Sequence, residues 1–126
     1  MNDLIQRIVN AIFREEGAPP TAFNPGNIRP VYVKNAAGVL VPTIPWLHGT
    51  VRVLNGFWLP DSRAQGIAGA AHCVALRIAE GQTLAQTLSA WAPPSDGNNT
   101  AAYIANVKQW TGIADENVPL YTLIGL

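Results

Sequence analysis

The sequence predicts an α+β fold, mostly helical, with a small β-rich insertion after the first helix. Three observations predict it. Apolar residues recur at helical spacing over four stretches. Between residues 18 and 60 that period gives way to short β-branched runs broken by Gly and Pro. At 126 residues, 48% of them hydrophobic, the chain is long enough for a core and too short to divide, so one domain over 1–126 is expected.

Each element has its own signal. From Asp3 to Glu16, Leu4, Ile5, Ile8, Val9, Ile12 and Phe13 form an amphipathic helical stripe. Asn2 or Asp3 suits its cap, and Gly17 followed by Pro19 and Pro20 ends it. The runs VYV, GVLVPTI and TVRVLNGFW then predict an irregular antiparallel sheet or hairpin between about residues 30 and 59. A second helix is expected from about Asp61 to Ala79, with Ile67, Ala71, Val74 and Ile78 on one face and Gly81 as its stop. Its small residues, GIAGAA, suit close approach of a neighbouring backbone and a central, buried position. Thr83 caps a short third helix carrying Leu84, Leu88 and Trp91. After the turn-rich APPSDGNN, Thr100 opens a fourth helix with Tyr103, Ile104, Val107 and Trp110 inward and Gly112 at its end. One more helical turn is expected after Asp115.

The composition excludes several functions. Eight basic and eight acidic side chains cancel, which argues against nucleic acid or an anionic membrane as partner and suits a neutral ligand such as a polysaccharide. With only 13% charged residues, most of the chain is expected at or near the core. Cys73 is alone and cannot form an internal disulfide. The opening residues show neither a signal peptide nor a membrane span, so action outside the cytoplasm would require delivery by another machine. His48 and His72 are too scattered for a zinc site, Ser62 and Ser89 lack a nucleophile elbow, and no metal or cofactor is expected.

Adjacent carboxylates, Glu15 and Glu16, close the first helix. At 100° per residue, Glu16 falls within about 30° of the stripe's centre and Glu15 about 70° from it. A carboxyl on the core side of a helix C-terminus meets burial and the negative end of the helix dipole, both of which favour its protonated form. A general acid needs that form near neutral pH. A surface pair with Arg14 or Arg29 is the simpler reading of the same glutamate.

The motif around it adds to the choice. The EG helix end followed by NPGNIR, then FWLPDSRAQGIAGAA and QTLAQTLSAWAPPSDGNNTAAYIANV, resembles small phage and prophage lysozyme-like lytic transglycosylases. These are relatives of the goose-type lysozyme and soluble lytic transglycosylase superfamily. The likeness covers most of residues 5–112, with Phe23 standing where that family often has a further asparagine. It implies a lysozyme-like fold, with a β-lobe facing a helical lobe across a cleft. The acid would be Glu16, and Tyr103 would lie near it. The substrate would be the β-1,4 bond between N-acetylmuramic acid and N-acetylglucosamine in peptidoglycan. A hydrolytic muramidase on the same bond and a non-catalytic peptidoglycan-binding or virion module are the alternatives. Most glycosidases use two carboxylates, and no second one here sits in a distinctive motif. A transglycosylase manages with one.

Supporting residues carry both structural and site readings. Asn24 to Asn27 form a turn, Pro25 fixing φ and Gly26 supplying a positive one, and Asn24 or Asn27 could also bond the acid or a sugar. Arg29 is an orienting or structural arginine. Trp58 and Trp91, beside loops, are the candidate sugar-stacking residues, while Asn98 and Asn99 suit a helix cap and a substrate rim. Glycan strands are the expected partner, with a monomeric enzyme made in the bacterial cytoplasm and reaching the periplasmic wall through a holin, a virion or a tail.

Overall fold

The computed structural model describes residues 3–17, 19 and 21–124. Among them the order is α1 (Asp3–Glu16), β1 (Val31–Lys34), β2 (Leu40–Thr43), β3 (Arg52–Leu54), β4 (Phe57–Leu59), α2 (Arg63–Ala79), α3 (Leu84–Trp91) and α4 (Thr100–Thr111). Short 3₁₀ turns lie at Pro94–Asp96, between α3 and α4, and at Leu120–Leu123, the latter supplying the expected last turn. The fold is α+β and mostly helical, with every strand between α1 and α2. No described helix is long and apolar enough to cross a membrane. Asn2 and Pro20, assigned above to the cap and the stop of α1, lie outside the described residues.

The chain forms two compact units, Met1–Gly17 with Ala70–Leu126, and Ala18–Gly69, the boundary falling within α2. The first unit is helical. Leu4, Ile8, Val9, Ala11 and Ile12 of α1 are buried, with Ala70, Val74 and Ile78, Leu84 and Leu88, and Tyr103, Ile104 and Val107 from the later helices. Each large aliphatic side chain so buried contributes about 1.5–3 kcal/mol. The close helix pairs are α1 with α4 and α3 with α4, so α4 holds the central position expected for α2. On α2, Ala64, Ala68, Leu76 and Ala79 are exposed, so it buries one face only. Its small residues give it too little apolar bulk to anchor a core on more than one side.

The ends of these helices follow the sequence closely. Gly17 takes φ 65° and donates its N–H to the Arg14 carbonyl at 3.2 Å, closing α1. Thr83 and Gln86 form a reciprocal capping box on α3. Asn99 caps α4 by accepting from the Ala102 N–H at 3.1 Å, and Gly112 ends it in the left-handed region. For α2, the Ser62 hydroxyl accepts from the Gln65 N–H at 3.1 Å, which starts the helix at Arg63 rather than Asp61.

The second unit holds two antiparallel hairpins, not one sheet. In the first, Val31 pairs with Thr43 and Lys34 with Leu40, and the Asn35 side chain organises the turn by accepting from the Ala37 and Val39 N–H groups. In the second, Asn55 and Gly56 both have positive φ (53° and 82°), the geometry of a tight primed turn. Asn-Gly between apolar residues was the available signal for it. The composition suggested general burial, yet β1 is exposed throughout. Within this unit the buried apolar residues are Ile44 and Trp58, with Pro25 and Pro60.

Gly66 and Gly69, one turn apart on α2, allow the close approach that GIAGAA suggested. A Cβ on Gly66 would lie 1.8 Å from the Phe23 carbonyl oxygen, and one on Gly69 2.7 Å from the Trp58 ring. Arg63 holds the same loop, donating to the carbonyls of Ala22 at 2.7 Å and Pro19 at 3.3 Å.

Candidate functional site

Within the helical unit, α1 and α4 run antiparallel, and their polar contacts follow in register. The Arg7 guanidinium donates to the Thr111 carbonyl at 2.6 Å, satisfying an acceptor at the C-terminus of α4 where the dipole favours a cation. Further along, Arg14 stacks over the Trp110 ring, its Cζ 4.3 Å from the centroid. Next, the Asn106 Nδ2 donates to Glu15 Oε2 at 2.9 Å. Last, the Tyr103 hydroxyl donates to Glu16 Oε1 at 3.0 Å. The two adjacent carboxylates therefore meet different donors, three residues apart on one face of α4.

This geometry corrects the helical phase read from sequence. Ile5 and Phe13 are only half-buried, while Ala11 is 2% exposed, so the buried row is Leu4, Ile8, Val9, Ala11 and Ile12. About that row, Glu15 lies roughly 20° from the centre and Glu16 roughly 80° away. Both are half-buried, and Glu15 is not at the solvent edge. What singles out Glu16 is its place as the last helical residue, beside Tyr103.

Tyr103 is 5% exposed. Burial first, then the charge and hydrogen bond of Glu16, then the charge of Glu15, push its hydroxyl far above the ordinary tyrosine range. It stays a hydrogen-bond donor under any physiological condition and orients the carboxylate it faces. The sign of the pH dependence follows. Above about pH 10 the unfolded chain loses this tyrosine proton while the folded chain keeps it, so folding stability falls as pH rises. Tyr103→Phe removes that contribution. Urea unfolding should show wild-type stability declining more steeply than the variant's above about pH 10, by up to about 1.4 kcal/mol per pH unit. Parallel curves would refute it.

The other predicted site residues fall as follows. Asn24 donates both amide hydrogens to backbone, to the carbonyls of Ile28 and Trp58 at 2.9 Å each, and accepts from the Ile28 N–H at 3.0 Å. It clamps the turn to β4 and has no donor left for a sugar. Asn27 is exposed, and it, rather than Gly26, takes the left-handed conformation at φ 52°. Arg29 lies over the Phe57 ring, 5.4 Å from its centroid. Trp58 is 2% exposed and packs edge-on against Trp46 at 6.3 Å, so the predicted sugar-stacking face is instead core. These four belong to the hairpin unit. In the helical unit, Trp91 is half-buried at the end of α3, Asn98 donates to the Pro93 carbonyl at 3.1 Å, and Asn99 is the cap of α4.

Asn106 was not anticipated. Its signal was present: it lies three residues after Tyr103 and so shares that face of α4. Burial pushes the Cys73 thiol up, with Arg77 opposing, which is the reverse of what an activated nucleophile needs. Among the described residues no three of His, Cys, Asp and Glu gather as metal ligands.

Compared with known proteins, the chain matches no family model, no curated protein and no solved structure.

Proposed function

We propose that the protein cleaves the glycan of peptidoglycan as a lytic transglycosylase, with Glu16 as the acid and then the base. The observation that carries this reading is the Tyr103 hydroxyl held 3.0 Å from the Glu16 carboxyl at the end of α1. The resemblance of the EG…NPGNIR and WAPPSDGNNTAAYI segments supports it. Glu16 gives its proton to the glycosidic oxygen between N-acetylmuramic acid and N-acetylglucosamine, and the bond from muramyl C1 to that oxygen breaks. The carboxylate then takes the proton of the muramyl C6 hydroxyl, whose oxygen bonds to C1 and closes a 1,6-anhydro ring. No water is consumed and one carboxyl serves both steps. Tyr103, fixed in its protonated form, holds the carboxyl in place between them.

Digestion of purified peptidoglycan followed by mass spectrometry tests this. Fragments ending in anhydromuramic acid, lighter by one water than hydrolytic products, are expected. Reducing muramic ends would make the enzyme a muramidase, and tight binding without fragments would make it a binding or virion module.

A further inference from the structure

The adjacent glutamates pose a problem of selectivity that the α4 side chains address. A tyrosine hydroxyl has one proton to donate. Glu15 and Glu16 are adjacent on α1, and the α4 residues that meet them, Asn106 and Tyr103, are one turn apart on α4. Of the other charged groups of these helices, Arg14 lies over Trp110, and Lys108 pairs with Glu116 at 3.3 Å. Asn106 Nδ2, 2.9 Å from Glu15 Oε2, gives the second carboxylate a donor of its own. An amide suits this task because it donates without carrying charge and does not titrate.

We propose that Asn106 is a positioning residue, holding Glu15 aside so that the Tyr103 hydroxyl remains with Glu16. Without it, Glu15 competes for the same hydroxyl and the Glu16 carboxyl loses that contact. The catalytic consequence rests on the function proposed above; the geometric consequence does not.

The test uses Asn106→Asp, which sets a carboxylate against Glu15, and the double variant Glu15→Gln with Asn106→Asp, which restores the hydrogen bond with donor and acceptor exchanged. On soluble peptidoglycan fragments, Asn106→Asp should lower kcat by roughly ten- to a hundredfold with little change in KM, as expected for a misplaced reacting group. The double variant should recover most of the loss. In parallel, NMR of ring-labelled tyrosine should show the Tyr103 signal displaced in Asn106→Asp and returned in the double variant, with Tyr32 and Tyr121 as internal references. Asn106→Ala, which removes the donor without adding charge, should displace the same signal and serves if Asn106→Asp does not fold. A Tyr103 signal unmoved in a folded Asn106 variant, or a double variant no nearer wild type than Asn106→Asp, overturns the proposal. An inert wild-type enzyme would instead overturn the proposed function, leaving the tyrosine signal to decide the positioning role.

Discussion

Replacing Glu16 by glutamine is expected to lower peptidoglycan cleavage by at least roughly 10²–10⁴-fold, the usual share of general acid–base catalysis. The substitution keeps the shape of the side chain and an oxygen able to accept from the Tyr103 hydroxyl, so the α1–α4 contact survives. On the proposed function, what is lost is the carboxyl group that first gives a proton to the leaving oxygen and then, as carboxylate, takes one from the C6 hydroxyl. Glu15→Gln keeps an acceptor for Asn106 and leaves Glu16 intact, and should cost far less. The comparison matters because both carboxylates are half-buried and each meets a donor from α4. Burial therefore does not rank them. Initial rates of turbidity loss from purified cell walls, with urea midpoints to confirm folding, read the ranking directly. The reverse order would move the acid to Glu15 and its partner to Asn106, one residue out of register with the resemblance.

The second large effect concerns stability. Gly66→Ala is expected to destabilise the fold by about 3 kcal/mol or more, although alanine is the better helix former by about 1 kcal/mol. The added methyl would sit 1.8 Å from the Phe23 carbonyl oxygen, where no rotamer change can relieve it because both partners are backbone-fixed. Either the helix start or the loop must move. Loop movement costs the bonds from Arg63 to the Ala22 and Pro19 carbonyls, the first of them part-buried. Gly17→Ala makes a useful contrast. Nothing lies within 4 Å of its Cβ position, so only the left-handed backbone at φ 65° is strained, at about 1–2 kcal/mol. Urea midpoints for both variants at unchanged m-value check the difference. Equal losses would mean that the Phe23 loop yields freely.

The helices and their ends were legible from sequence because their causes are local. The Thr83 capping box, the Asn99 cap and the left-handed stops at Gly17, Gly81 and Gly112 each depend on a few consecutive residues. The β-rich insertion was legible as a change of period, and the pair Glu16 and Tyr103 as motif residues at the ends of two helices. Other features depended on contacts distant in sequence. The period of α1 put Ile5 and Phe13 in its apolar stripe, whereas in the fold, with α1 packed close to α4, Ala11 is buried and those two are half-buried. A tryptophan beside a loop reads equally as platform or core, and the turn clamp of Asn24 on the Trp58 carbonyl, with Trp46 against the ring, makes Trp58 core. The sequence by itself determined the caps of α3 and α4, the glycine stops and which residue types stand at the end of α1. Tertiary structure decided which carboxylate meets which donor, because the pairings of Glu15 with Asn106 and Glu16 with Tyr103 span about ninety residues and exist only once α4 lies antiparallel along α1.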